Sequence, residues 1–451
     1  MKSIKLFLLG VVFLTASGFA YGQDTVQVKE TKAKEVKTGW SFGALPTITY
    51  NTDLGLQYGA LVNLYQYGDG SVYPEYYHSI YAEISRYTKG SGVFRFFYDS
   101  KYLIPNVRLT ADISYLTEQA LDFYGFNGYQ AVYFKNWEDD SHYDSDYKTR
   151  MFYKHKRNAL RTKFDFQGKT GIKNINWVVG LSLLNVDIST VDINNLNKNK
   201  TGNDVLPDTN TLYDNYIDWG IISEKEKNGG FFTNLKGGIV YDNRDNEPNP
   251  MKGIWSEAVI MQSFNKDFTF TKVAITHRQY FTIIKNSLSF AYRLGYQGII
   301  AGDAPFYALP YMVSSFTKSS NSDGLGGSKT VRGMVRNRVV GKSVGYGNFE
   351  LRWKFTQFVF KKQNIYLALN PFMDLGQVIQ EREVDLSGVV LGPGEVMSDY
   401  FLDEKDKLHI TYGAGLHIAM NQNFIIAADM GFPANKQDGG MGLYIGLNFL
   451  F

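Results

Sequence analysis

Val331-Arg332-Gly333, followed by the strand Asn348-Phe349-Glu350-Leu351-Arg352-Trp353-Lys354-Phe355, decides how this chain folds. The tripeptide lies in a Gly/Ser-rich loop, 321–342, just before that strand. The strand alternates without a slip. Phe349, Leu351, Trp353 and Phe355 fall on one face, and Asn348, Glu350, Arg352 and Lys354 on the other. The next strand carries Phe372-Met373-Asp374-Leu375-Gly376, with Asp374 on the face opposite Met373 and Leu375. Apolar outside and charged within is what a barrel in lipid requires. The arrangement predicts a loop folded into a barrel and pinned there by Arg332 against Glu350 and Asp374.

The same polarity recurs along the chain. Val107, Leu109, Ala111, Ile113 and Tyr115 interleave with Arg108, Thr110, Asp112 and Ser114. Leu288, Phe290, Tyr292 and Leu294 interleave with Ser289, Ala291 and Arg293. Leu408 to Ile418 repeats the pattern, with His409 and His417 on the inner face. A soluble sandwich also alternates, so two further features decide the class. The polar face carries full charges, and the strands run to about ten residues, the ~9–11 needed to cross a bilayer at a tilt. Short turns at Ile104-Pro105-Asn106, Ile284-Lys285-Asn286, Lys361-Lys362-Gln363 and Asn421-Gln422-Asn423 alternate with long loops at 118–156, 189–228, 301–342 and 380–406. Short periplasmic turns against long external loops mark an outer-membrane barrel.

The prediction is an all-β fold, a 16-stranded antiparallel transmembrane β-barrel over 40–451. Its strands start near 40, 53, 75, 90, 106, 157, 174, 229, 252, 267, 286, 343, 363, 407, 422 and 440, and the loop between the eleventh and twelfth folds inward. Composition agrees. The 451 residues include 44 Gly, 32 Tyr and 32 Phe but only 11 Pro, suiting strands and tight turns. Lys2 and Lys5, the apolar run Leu6 to Leu14, and small residues at Ala16, Ser17, Gly18, Ala20 and Gly22 read as a secretory signal peptide, 1–22. That run is too short for a membrane anchor, which needs ~20 apolar residues. A Lys/Glu-rich periplasmic linker, 23–39, follows.

Several chemistries are excluded on residue grounds. The absence of Cys removes disulfides, thiolate metal sites and a cysteine-linked lipid anchor. A net charge of +3 with no basic cluster gives no footprint for nucleic acid. Glu138, Asp139, Asp140, Asp144 and Asp146 lack EF-hand spacing and a central Gly, so they read as a solvated acidic loop rather than a Ca²⁺ site. His409 and His417, at ~3.4 Å per strand residue, are too far apart to share a metal. Gly324-Leu325-Gly326-Gly327-Ser328-Lys329-Thr330 lacks the glycine before its lysine and the following helix of a phosphate loop. No Ser/His/Asp order is recognisable. Neither a cofactor nor an enzyme is expected.

These motifs, in this order, resemble the bacterial surface antigen family, the barrel superfamily of BamA and TamA. Arg332-Gly333 falls where that family keeps its VRG(F/Y) motif, and Glu350 and Asp374 match its inward acidic partners. Tyr241-Asp242-Asn243-Arg244-Asp245-Asn246, with Pro248, Pro250 and Gly253, matches its periplasmic turn between the eighth and ninth strands. Leu443 to Phe451 resembles the C-terminal targeting strand of outer-membrane barrels through Gly446, Phe449 and Phe451, with Leu443, Ile445, Leu447, Phe449 and Phe451 expected outward. There are two departures. Met334 stands where the family has Phe or Tyr, which predicts looser packing at the loop tip. Only the linker precedes the first strand, so the POTRA repeats that receive substrate and accessory subunits are not expected.

The resemblance implies insertion or translocation of polypeptides in a Gram-negative-type outer membrane. The implied partners are membrane lipids, unfolded barrel clients, and separate periplasmic or outer-membrane accessory proteins. A passive or gated channel, and a structural barrel docking through its long loops, are the competing readings. Arg332 in a wet lumen is expected to contribute on the order of 1–3 kcal/mol, the scale of a charged hydrogen bond. Pro46 removes a ladder donor from the first strand, which must close against the last. It predicts a weak seam there, or else a bulge.

Overall fold

The computed structural model describes residues 36–451 except 74, 143–145, 248, 316–323, 361–362, 421–423 and 448. The signal peptide and most of the linker therefore lie outside the described residues, as do Asp144, Pro248, and the turns at Lys361-Lys362 and Asn421-Gln422-Asn423.

Sixteen strands form one closed antiparallel barrel. They are β1 (Trp40–Asn51), β2 (Gly55–Gln66), β3 (His78–Tyr87), β4 (Gly92–Ile104), β5 (Val107–Asp122), β6 (Lys154–Lys169), β7 (Ile175–Ser189) and β8 (Gly229–Asp242). The second half comprises β9 (Gly253–Phe264), β10 (Thr269–Ile284), β11 (Leu288–Gly302), β12 (Ser343–Phe360), β13 (Gln363–Gln380), β14 (His409–Met420), β15 (Phe424–Pro433) and β16 (Gly442–Leu447). Each start falls within a few residues of the sequence expectation, because charge alternation and turn residues mark both ends of a strand. Asn106, Asn174 and Asn286 take positive φ in the short turns, the conformation Asn tolerates best among non-glycine residues. No described helix is long and apolar enough to cross a membrane.

Side chains sort by face as the alternation requires. On β12, Asn348, Glu350 and Arg352 are buried in the lumen, whereas Leu351, Trp353 and Phe355 are exposed on the outer surface. At the long-loop end the loops fold together over the barrel. Phe123, Tyr153, Tyr216, Trp219, Phe306 and Tyr400 belong to one buried aromatic cluster there. Polar ties join separate loops, including Trp219 Nε1 to the Val390 carbonyl at 2.9 Å and Arg338 Nη1 to the Gly128 carbonyl at 2.8 Å. These loops form a packed dome rather than solvated arms.

The barrel is unevenly zipped. β1 pairs with β2 along its whole length, Pro46 lying opposite Ala60 without a bulge. On its other edge only Tyr50 and Asn51 pair, with Ile445 and Tyr444. Among the described residues, none of β16 pairs with Trp40–Thr49. The expected closure of the first strand against the last is therefore partial: the seam is paired at the long-loop end, whereas Gly446 and Leu447, still within β16, pair with β15 and not with β1. Pro46 sits in the unpaired stretch.

Candidate functional site

The loop between β11 and β12 descends into the lumen because lumen-facing polar side chains collect its backbone. Lys272 on β10 donates to the carbonyls of Leu309 and Tyr311 at 3.0 and 2.5 Å. Gln297 on β11 exchanges two hydrogen bonds with the Val313 backbone, at 2.8 and 2.7 Å. Glu257 on β9 accepts from the Ser315 backbone at 2.8 Å. Lower down, Arg293 and Asn348 hold the carbonyls of Lys329 and Thr330. A buried loop must have its backbone groups satisfied. Here the barrel wall satisfies them.

At the loop tip Arg332 is 1% exposed. Its Nε and Nη2 donate to the two oxygens of Asp374 at 2.8 and 3.0 Å, and its backbone N–H adds a third bond at 3.0 Å. Its Nη1 lies 2.8 Å from Glu350 and 3.2 Å from Asp429 on β15. The guanidinium stacks 3.6 Å over the Phe372 ring. Arg332, Gly333, Glu350 and Asp374 are thus brought together, and Asp429 is an addition that the sequence reading missed. Its signal was a lone carboxylate on the inner face of Ile425-Ile426-Ala427-Ala428-Asp429. The cluster is buried rather than exposed to the lumen. Breaking a buried pair of this kind costs about 3–5 kcal/mol, above the sequence-based figure.

Gly333 is required by close approach. Its φ is +89°, and a Cβ there would stand 2.5 Å from the Gly431 carbonyl carbon of β15. Met334 is buried with Leu325, Val331, Val339, Val344 and Val378, so the looser tip expected from its replacement of an aromatic is not found. Two further buried arginines escaped sequence reading. Arg336 pairs with Glu118 at 2.6 Å, and Arg338 caps carbonyls of the first long loop.

The turn between β8 and β9 is built from its own acids. Asp242 accepts from the Arg244 backbone and guanidinium, and Asp245 accepts from the backbone N–H groups of Met251 and Lys252. Gly253, at φ +112°, leaves space that a Cβ would take from Arg244. The Trp255 ring lies 4.2 Å from the Arg244 guanidinium and 3.9 Å from that of Arg278. The turn also reaches across the mouth. Glu247 approaches Arg108 on β5 at 3.6 Å, and Asn249 donates to Tyr366 on β13 at 2.7 Å.

The C-terminal aromatics require a correction. Phe449 and Phe451 do not continue outward. Phe449 packs at 4.8 Å from the His417 ring, and the Arg352 guanidinium stands 4.3 Å over Phe449 and 5.0 Å from Phe451. All three of these contacts are in the lumen, where paired carboxylates fix Arg352 and His417. A Cβ at Gly446 would meet nothing within 4 Å, so no close approach demands glycine there. In the acidic loop, Asp139 and Asp140 pair with Lys135 and Arg150, and Glu138 accepts from Tyr133. Among the described residues no group of three or more His, Asp or Glu is arranged to hold a metal ion.

The barrel, its inward loop and the Arg332 cluster define an outer-membrane barrel of the Omp85 type. The chain belongs to the Omp85 superfamily, whose domain matches residues 77–451. Among solved structures it is similar to BamA from Haemophilus ducreyi lacking POTRA domains 1–3, with a TM-score of 0.53 at 14% identity, over 98% of this chain and 78% of that one. It is also similar to CdiB from Escherichia coli, with a TM-score of 0.48 at 10% identity, over 91% of this chain and 62% of that one, less than two thirds of CdiB's length. At such identities the likeness is one of fold. No curated protein shows significant sequence similarity to the chain.

Proposed function

We propose that this protein assists insertion or translocation of polypeptides at the outer membrane, acting by strand exchange at the β1–β16 seam together with separate periplasmic partners. One observation carries the reading: among the described residues β1 pairs with β16 only at Tyr50 and Asn51, with Thr52 just beyond bonded to Leu443, against full-length pairing with β2. Unpaired backbone groups facing lipid cost several kcal/mol each. A free edge of this length is therefore a template for an incoming strand, which would gain main-chain hydrogen bonds by adding to it. Trp40, Phe42 and Ile48 on that edge expose their side chains, so an added strand would lie beside an apolar face already suited to lipid. No bond-breaking chemistry is invoked, only pairing.

The passive-channel reading draws less support. The lumen is obstructed at three levels: the aromatic dome, the Arg332 loop, and the β8–β9 turn across the mouth. The test is a disulfide between Tyr50→Cys and Ile445→Cys in living cells, scored by the outer-membrane proteome. Loss of barrel or secreted clients with the locked barrel intact is expected. A locked protein that fully complements a deletion would remove the seam mechanism.

A further inference from the structure

The inner wall over β4–β8 carries more cations than carboxylates. Arg95 lies 2.6 Å from Asp112, which also faces Arg161 at 3.4 Å. Asp165 stands 2.8 Å from Lys236 and 3.9 Å from Lys163. None of these six side chains is more than 10% exposed. Glu83, opposite Arg95 on β3, adds a third carboxylate against the four cations. Charges taken out of water are costly unless balanced nearby. The cluster therefore has a standing demand for negative charge.

A cavity lies where that demand can be met. The register sets Lys163 on β6 opposite Ser182 on β7, Ser182 opposite Asn234 on β8, and Asn234 opposite Ser263 on β9. Ser263 Oγ donates to Asn234 Oδ1 at 2.7 Å, which leaves the Asn234 Nδ2 as a spare donor. Ser182 is buried, and its Oγ has no hydrogen-bond partner. Beside it a cavity of about 20 Å³, room for one water-sized particle, lies between the wall and residues 311–314 of the inward loop. Lys163, Ser182, Asn234 and Lys236 line it. Asp165 lines it too, but Lys236 reaches that carboxylate across Gly180, where a Cβ would come 2.2 Å from Asp165 Oδ1. Lys236 also donates to the carbonyls of Ser314 and Ser315, tying the loop to the wall. A water in the cavity would need acceptors for its hydrogens, and Asn234 Oδ1 and Asp165 are already engaged. An anion needs only donors and positive charge.

We propose that this cavity binds a monatomic anion, a halide such as chloride. Ser182 Oγ and Asn234 Nδ2 donate to it, Lys163 supplies charge, and the bound ion helps pin the inward loop to β6–β8. The assignment goes beyond insertion or translocation and does not depend on either.

The test uses the full chain folded in detergent. Thermal unfolding is followed over a series of chloride or bromide concentrations, with gluconate, too large for the cavity, holding the ionic strength constant. A saturable rise in melting temperature with halide is expected, as for a ligand that binds the folded state alone. Ser182→Ala should weaken the halide midpoint by roughly fivefold, the scale of one hydrogen bond. Asn234→Asp should abolish the halide dependence and raise the melting temperature in gluconate, because its carboxylate supplies the missing charge. Crystals grown in bromide should show an anomalous peak beside Ser182 Oγ. Absence of any halide dependence would leave a water in the cavity, and a bromide peak without that dependence would be an adventitious ion only. Equal dependence in parent and variants would put the ion elsewhere. Each of these three results overturns the proposal, and should one variant fail to fold, the other decides.

Discussion

Arg332 and Asp374 meet as a bidentate pair, Nε and Nη2 each donating to a separate carboxylate oxygen at 2.8 and 3.0 Å, and the Arg332 backbone N–H donates to the same carboxylate at 3.0 Å. The side-chain pair locks the guanidinium plane, and the backbone bond locks the loop that carries it. Because Glu350 and Asp429 share the same arginine, the two partners are not equivalent.

Arg332→Ala should therefore destabilise the folded barrel by about 3–5 kcal/mol, since it leaves the buried Asp374 without its paired cation and takes one of two partners from Glu350 and Asp429. Asp374→Ala should cost less, because Glu350 and Asp429 still neutralise the arginine. The double variant should fall short of the sum of the two. Arg332→Lys should recover little, as an ammonium cannot reproduce the fork. Denaturant unfolding followed by heat-modifiable mobility gives all four values. Simple additivity would mean that the two residues act separately.

Gly333→Ala tests the loop's docking rather than its charge. The new Cβ must sit 2.5 Å from the β15 backbone in a left-handed conformation, so either the loop tip or β15 moves. A loss on the order of 2–4 kcal/mol, or a loop newly open to protease near 332, is expected. A variant as stable and protease-resistant as the parent would show that the tip is not pressed against Gly431.

The strap across the mouth depends on few bonds. Asn249→Ala and Tyr366→Phe each remove the 2.7 Å hydrogen bond between β13 and the β8–β9 turn. Either loss is worth about 1 kcal/mol, so brief conductance steps in planar bilayers should become several times more frequent. Silent bilayers from both variants would assign the obstruction to the dome or the Arg332 loop.

Asp53, in the turn between β1 and β2, should make stability depend on pH. Burial, with the Asp122 carboxylate adding to it, pushes its carboxyl from 3.8 up to about 7, against the opposing pull of Arg336, Lys154 and Lys89. A raised folded value means that the folded protein holds the proton more tightly. The penalty is absent below about pH 4, grows as pH rises toward 7, and is constant above. Asp53→Asn should thus gain on the order of 1–3 kcal/mol at pH 8 and nothing at pH 4. Melting temperatures of parent and variant at the two pH values check the sign, and an equal shift at both would rule out titration as its cause.

The sequence by itself determined the barrel. Strand number, strand starts and the inward polar face were legible, because each follows from alternation and turn chemistry that are local in sequence; the meeting of Arg332 with Glu350 and Asp374 was legible from their shared inward face and the family resemblance. Lipid enforces that alternation along every strand, so a single chain carries the pattern many times over. Tertiary structure alone decided three things. Asp429 joined the Arg332 cluster because β15 happens to face the loop tip, a relation no local spacing encodes. The long loops became a packed dome because their aromatics find one another across separate connections. Phe449 and Phe451 turned inward although alternation placed them outward, since the free energy of a strand end depends on which partners it finds. β1 offered them an edge with a proline in it, whereas the lumen offered Arg352, Arg293 and an apolar shelf.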